Sequence, residues 1–445
     1  MKESRTTIIQ DVSVVNEGET FLASVRIKEG CIAELARGRE LSVPAGAEVV
    51  EGQGALLLPG VIDAHVHMRD PGLTHKATME SETRAAARGG VTTVLDMPNV
   101  VPQTTSLSLL DERYAMAQGR CHVNYGFYLG ATSDNLEDIK RLDTTRCPGV
   151  KLFMGSSTGG MLVDREEALR QIFLHSPALI MTHCEDTARI NANAARIKAE
   201  LGDDPDVSLH PVIRDHEACL QSTALAVRLA REEGARLHVA HLTTAQELDL
   251  FEPNDARITA EACVPHLIFT DADYQTLGTR IKCNPAVKTA ADRTALRRAL
   301  SDGRIRTIGT DHAPHLLSEK EGGCLKAVSG MPMVQFSLPT VLGLTDEGVL
   351  SVERVVELMC HNPAILFGIN QRGFIREGYH ADLTLVRRKP WTIGSDCIES
   401  LCGWSPLEGR RMQWQVERTW VNGQQVWDGM QVNTTVLGQP ASFEM

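Results

Sequence analysis

The sequence predicts an α/β protein: a (β/α)8 TIM-like barrel with a small β-sandwich domain built from the N- and C-terminal segments. Three observations carry this. From about residue 56 short apolar runs alternate with helix-like stretches, and eight such runs end at Ile62, Leu95, Leu129, Leu152, Met181, Ala240, Thr259 and Ile308. Both ends of the chain are instead rich in β-branched residues separated by turn signals. An open doubly wound sheet would usually carry a glycine-rich phosphate loop after its first strand. Here that place holds His65-Val66-His67-Met68-Arg69.

Taken in order, residues 1–55 form the first part of the sandwich. Strands are expected over 6–15, 21–27 and 31–35, with turns at Asn16-Glu17-Gly18 and Glu29-Gly30. Residues 56–365 form the barrel, with helix-like stretches over 79–88, 164–173, 217–233 and 290–300. Residues 366–445 complete the sandwich, through a strand at 381–386 and a hairpin at 416–427 turning on Asn422-Gly423.

Composition narrows the function classes. A net charge of −12 gives no footprint for nucleic acid. No apolar run is long enough to span a membrane, and Met1-Lys2-Glu3-Ser4-Arg5 does not open a signal peptide. The 11 cysteines are odd in number and form no Cys-x-x-Cys pair, so free thiols in a reducing cytoplasm are expected. Cys184, Cys263 and Cys283 read as small packing residues.

In a barrel, chemistry sits at the C-terminal ends of the strands. Residues i and i+2 of a strand point to one side, so His65 and His67 project together. Alone, a His-x-His pair is weak evidence for a metal. Other strand ends supply more: Lys151 among apolar neighbours, then His183, His241 and Asp311. His238 reads as a core or helix-facing residue. Neutral imidazole and carboxylate suit zinc. An ammonium at Lys151 would be repelled there, but burial favours the neutral amine, which can add CO₂ to give a carbamate able to bridge two metals. Two divalent ions would then face Asp311, a carbamate and a hydroxide, with the histidines neutral.

Longer motifs accompany these residues. They are 59–72 (Pro-Gly-Val-Ile-Asp-Ala-His-Val-His-Met-Arg-Asp-Pro-Gly), Ala85 to Thr93, Asp96-Met97-Pro98-Asn99, Gly149-Val150-Lys151, Thr182-His183, Ala240-His241 and Gly309 to His315. Together they resemble the amidohydrolase superfamily, and within it the dihydroorotases, over nearly the whole chain. The shared metal ligands cannot choose among cyclic amides. Dihydroorotate carries a carboxylate that hydantoins, dihydrouracil and allantoin lack at that position, and a guanidinium fork is its best partner. Arg69 can supply it. The resemblance implies that Asn99 and His315 complete the grip and that Asn284 meets the pyrimidine ring. Here the chain departs from the family, reading Pro285-Ala286-Val287-Lys288 where Pro-Pro-Leu-Arg is common. The segment 153–160 reads as a mobile loop over the site, and 322–332 as a source of backbone donors to the ring.

The resemblance thus implies reversible hydrolysis of (S)-dihydroorotate to N-carbamoyl-L-aspartate in pyrimidine (UMP) synthesis. The attacking hydroxide would be activated by two zinc ions, with Asp311 as general acid and base. His65, His67 and Asp311 would hold one zinc, His183 and His241 the other, and carbamylated Lys151 would bridge them. It further implies a cytoplasmic homodimer and allows association with aspartate carbamoyltransferase. Two alternatives stand beside it: a hydantoinase, dihydropyrimidinase or allantoinase-like enzyme, or an inactive dihydroorotase-like scaffold subunit.

Overall fold

The structure, a computed structural model, describes residues 6–155 and 161–444. Most of the loop expected over 153–160 therefore lies outside the described residues.

The chain begins with β1 (Thr7–Asn16), β2 (Glu19–Lys28), β3 (Cys31–Arg37), β4 (Glu48–Glu51) and β5 (Leu56–Pro59). The barrel follows: β6 (Val61–Val66), β7 (Val91–Asp96), β8 (Asn124–Phe127), β9 (Leu129–Gly130), β10 (Val150–Phe153), β11 (Ile180–His183), β12 (Leu237–Val239), β13 (Ile258–Cys263) and β14 (Ile305–Gly309). The tail adds β15 (Leu383–Thr392), β16 (Arg411–Val421) and β17 (Gln424–Trp427).

β8 and β9 are two halves of one stave, interrupted at Tyr128, so the barrel has the eight staves predicted. β6–β7–β8 and β9 to β14 form two parallel arcs. The seam between β14 and β6 closes through a parallel bridge from Val66 to His312 and the hydroxyl of Thr310 donating to Asp63 Oδ2 at 2.6 Å.

The terminal segments form one mixed sheet in the order β17-β16-β15-β5-β1-β2-β3, with β4 beside β1. Strand alternation explains its apolar runs. Val14, Leu57 and Leu385 face the sheet's own core, and their neighbours Val15, Leu58 and Val386 pack into the barrel's core. Both faces are buried, so the strands need not alternate with polar residues. The hairpin turns on Asn422 (φ 49°) and Gly423 (φ 74°), as its sequence predicts.

Several strand limits differ from the sequence reading, and two of them shape the site. The apolar run 56–62 is divided: Leu56–Pro59 pairs with β1 and β15 in the sheet, and only from Val61 does the chain enter the barrel. Gly60 makes the switch, because a Cβ there would lie 2.1 Å from Thr92 Oγ1. β13 also runs four residues past Thr259, to Cys263, and so brings Glu261 into the barrel.

The helix expected over 79–88 is Met79–Arg88, opened by a Thr78 capping box. The one over 217–233 is His216–Glu233, capped by Asp215 and stopped by left-handed Gly234. Helices Leu107–Ala117 and Thr187–Leu201 were not anticipated. Among the described residues no helix is long and apolar enough to cross a membrane.

Candidate metal centre and active site

Nine of the ten nominated residues line one cavity at the barrel mouth: His65, His67, Arg69, Asn99, Lys151, His183, His241, Asn284 and Asp311. His315 stands directly behind Arg69. Three of these residues, Arg69 (φ 63°), His241 (φ 39°) and Asp311 (φ 47°), hold left-handed backbone without being glycine. Such strain persists only where surroundings impose it, and it gathers at functional sites.

The first half of the floor is built from β6 and the segment after β14. His65 Nδ1 lies 2.7 Å from Glu261 Oε1, and His67 Nδ1 lies 2.7 Å from Asn99 Oδ1. Both partners accept, so each Nδ1 carries the proton. The Nε2 atoms then turn to Asp311 Oδ1, at 3.3 and 3.1 Å. Burial pushes His67 down to about 4, so it is neutral near pH 7. The Nε2 lone pair of neutral His67 thus faces the Asp311 carboxylate with no proton between them, and His65 Nε2 points to the same oxygen. A divalent cation is what this donor set fits.

In the second half, His183 ends β11 and His241 follows β12. His183 Nδ1 and His241 Nε2 lie 2.9 Å apart. Burial lowers both imidazoles below their ordinary range. Behind them Glu185 Oε2 sits 3.0 Å from His183 Nε2 and is itself paired with Arg214.

Lys151, on β10, is fully buried between the halves. Its Nζ has no hydrogen-bond partner among the described residues. Burial pulls the amine down to about 8, against the opposing pull of Glu261 and Asp311. A substantial neutral fraction follows at mildly alkaline pH. Burial alone would raise the Asp311 carboxyl, but His65, His67 and Lys151 hold it below its usual range.

The wall is cationic. Arg69 donates from Nε to Pro314 O at 3.1 Å and from Nη2 to His315 Nε2 at 2.9 Å. Its adjacent acid, Asp70, is taken by Arg120 at 2.6 Å. Among the described residues the Arg69 guanidinium makes no ion pair with a carboxylate. Burial, then Arg69 and Lys76, hold His315 far below its ordinary range and hence neutral. Asn284 Oδ1 lies 3.2 Å from His210 Nε2. Of the stretch 322–332, Ser329 and Gly330 line the cavity, whereas Gly323 turns away to donate to Asp204.

Sequence reasoning missed Glu261, Glu185, Arg214 and His210. An acid inside the apolar run Thr259-Ala260-Glu261-Ala262-Cys263 was the available signal for the first. His238 is a core residue, held between Thr259 Oγ1 and Thr307 Oγ1 at 2.7 and 3.1 Å. Cys184 and Cys283 are buried thiols pushed up to about 12 by burial, as suits packing residues.

A sequence profile of the amidohydrolase family matches residues 56–426. The dihydroorotase of Halobacterium salinarum is 35% identical over 416 residues, which cover 89% of this chain and 96% of that protein. The dihydroorotase of Geobacter sulfurreducens is 34% identical over 376 residues, 82% of this chain and 84% of its own. Among solved structures, the L-hydantoinase (dihydropyrimidinase) of Arthrobacter aurescens superposes with a TM-score of 0.90 at 28% identity, covering 96% of this chain and 97% of that one. The dihydropyrimidinase of Brevibacillus agri gives 0.89 at 23% identity over 99% and 100% of the two chains, a likeness of fold. On these matches the chain belongs to the amidohydrolase family, as a cyclic amidohydrolase related to the dihydroorotases.

Proposed function

We propose that this protein is a zinc-dependent dihydroorotase, interconverting (S)-dihydroorotate and N-carbamoyl-L-aspartate in pyrimidine synthesis. One observation carries the choice of substrate: Arg69 is buried, faces the cavity and meets no carboxylate among the described residues. A buried guanidinium without an acid partner is costly unless a ligand supplies the anion. The dihydroorotate carboxylate does so, with His315 and Pro314 O fixing the fork and Asn99 on the same wall.

On this reading His65, His67 and Asp311 would hold one zinc and His183 and His241 a second, and Lys151 would serve both as a carbamate. Bound there, the ions would supply an activated water and a polarised ring carbonyl at neutral pH. The chain's own part is orientation and proton transfer. Glu261 and Asn99 fix the imidazole tautomers. Asp311 Oδ2, which has no hydrogen-bond partner among the described residues, takes the proton of the attacking water and returns it to the leaving ring nitrogen. Carbamylation of Lys151 removes one of the positive charges that depress the Asp311 carboxyl, and so favours its action as a base.

A hydantoinase-like enzyme is the second reading, favoured by the superposition on L-hydantoinase. Zinc analysis joined to a panel of dihydroorotate, hydantoin, dihydrouracil and allantoin decides between them. Two zinc ions per subunit and a clear preference for dihydroorotate, followed at the ultraviolet absorbance of the ring amide, are expected. Preference for a carboxylate-free ring overturns the proposal. Absence of both zinc and turnover points to the scaffold reading. A cytoplasmic homodimer able to associate with aspartate carbamoyltransferase belongs to the same proposal, and sedimentation of the purified protein with and without that enzyme tests it.

A further inference from the structure

The amide of Asn284 has a direction, and a histidine outside the cavity sets it. His210, 3% exposed, begins the short helix His210–Ile213. Its Nε2 lies 2.9 Å from Cys283 O and 3.2 Å from Asn284 Oδ1. A backbone carbonyl can only accept, so Nε2 must carry the proton. Burial, followed by the nearby charges of Arg214 and Lys282, keeps the ring neutral, so Nδ1 is bare. The atom of Asn284 that faces Nε2–H must therefore be the oxygen. Reversing the amide would set two donors against each other. Nδ2 is left as the polar end offered to the cavity, and it has no partner among the described residues.

We propose that His210 is a positioning, specificity-determining residue. By locking the Asn284 amide it presents Nδ2 to an acceptor, the ureido oxygen of a cyclic ureide, which is the ring carbonyl that is not cleaved. The inference rests on the proposed function for the ring bound, but the ureido oxygen is common to dihydroorotate, hydantoin and dihydrouracil. Whichever of these rings is turned over can therefore carry the test.

The test compares each ring with its thioxo analogue, in which a poorly accepting sulfur replaces the ureido oxygen. Enzymes loaded with zinc to equal content are used, with their melting temperatures recorded. For wild type, KM should favour the oxo ring. For His210→Met, KM for the oxo ring should rise roughly tenfold, as loss of one oriented hydrogen bond implies, with kcat little changed and the oxo preference lost. His210→Gln should restore both, because its amide nitrogen can donate where Nε2 did. An oxo preference that survives His210→Met, or a Gln variant that behaves like Met, overturns the proposal.

Asn284 gives an independent arm if the His210 variants fold poorly. Asn284→Asp keeps an oxygen for His210 and turns a second acceptor on the ring, so it should bind the oxo ring worse than Asn284→Ala. The opposite order overturns the assignment. A panel in which hydantoin replaces dihydroorotate as substrate, with the oxo preference intact, sinks the proposed function and leaves the role of His210 standing. Failure of every ureide to bind or turn over sinks both.

Discussion

The floor of the mouth and its wall are built on different ground. His65, Lys151 and His183 lie within barrel strands, and His67, His241 and Asp311 follow within two residues of a strand end. Arg69, Asn99, Asn284 and His315 hang on the loops beyond. Strand ends are set by the ladder and cannot move without opening the barrel, whereas loops vary freely over a fixed scaffold. The two kinds of likeness fit this division. A superposition on an L-hydantoinase reflects the shared frame, and a frame does not name the ring that enters it.

Asp311 puts the division to its strongest test. Asp311→Asn should retain the fold and most of the zinc and lose about a thousandfold or more in kcat. The loss should be the same for every ring the enzyme accepts, because proton transfer is blind to the ring's substituents. A loss confined to dihydroorotate would move Asp311 from floor to wall. Arg69→Met tests the wall in the opposite sense. Removing one partner of a buried charge pair costs roughly 2–5 kcal/mol, so kcat/KM for dihydroorotate should fall about thirtyfold to a few thousandfold. Dihydrouracil, lacking the carboxylate, should lose no more than about threefold. Equal losses on both would mean that Arg69 supports the loop and does not grip a carboxylate.

Glu185 probes what holds the floor rigid. It lies against His183 Nε2 and is anchored by Arg214. Carboxylates behind metal-ligating histidines typically raise metal affinity by about tenfold to a hundredfold. Glu185→Gln should weaken zinc retention by that amount in a chelator competition and recover near-normal kcat at saturating zinc. A kcat that stays low with the site filled would place Glu185 in the chemistry itself.

What was legible in the sequence follows from these physical differences. The floor could be read because a strand's two-residue period is local: the four histidines and Asp311 follow apolar runs that mark their strands, and Lys151 interrupts one. Glu261 could not, since its meaning lies in a hydrogen bond to a histidine 196 positions away. The split at Gly60 was hidden for a similar reason. Leu56 to Ile62 is one apolar run, and only the approach of Thr92 shows why a glycine must divide it. The wall was half legible. Arg69 was visible, with an acid, Asp70, next to it in the sequence. That Asp70 is claimed by Arg120, leaving Arg69 without an acid among the described residues, is a fact of tertiary structure.

Lys320 offers the finest test of the wall, and the smallest effect. It is 3% exposed, and its Nζ donates to Lys282 O at 3.1 Å, Val328 O at 2.7 Å and Gly330 O at 2.7 Å. It thus ties the loop carrying Ser329 and Gly330 to the loop carrying Asn284. Three donated bonds require the ammonium, and burial pulls this lysine from 10.5 to about 7. Above that pH the neutral amine keeps two donors, and one carbonyl loses its partner. KM for dihydroorotate should therefore rise about threefold between roughly pH 6 and 8.5 as one buried hydrogen bond is lost, with kcat corrected for Asp311 unchanged. Stability should move the other way. Between about 7 and 10.5 the unfolded chain holds a proton that the native chain lacks, so unfolding becomes harder as pH rises through that window. Lys320→Met should have a raised KM and should lack both pH dependences. Weaker binding alongside greater stability in the wild type would separate the loosening of one loop from any general unfolding of the mouth. A constant ratio of wild-type to Lys320→Met KM across this range would show that the lysine's charge does not shape the wall, and would shift the tie between the two loops to the backbone bond from Gly330 N to Lys282 O.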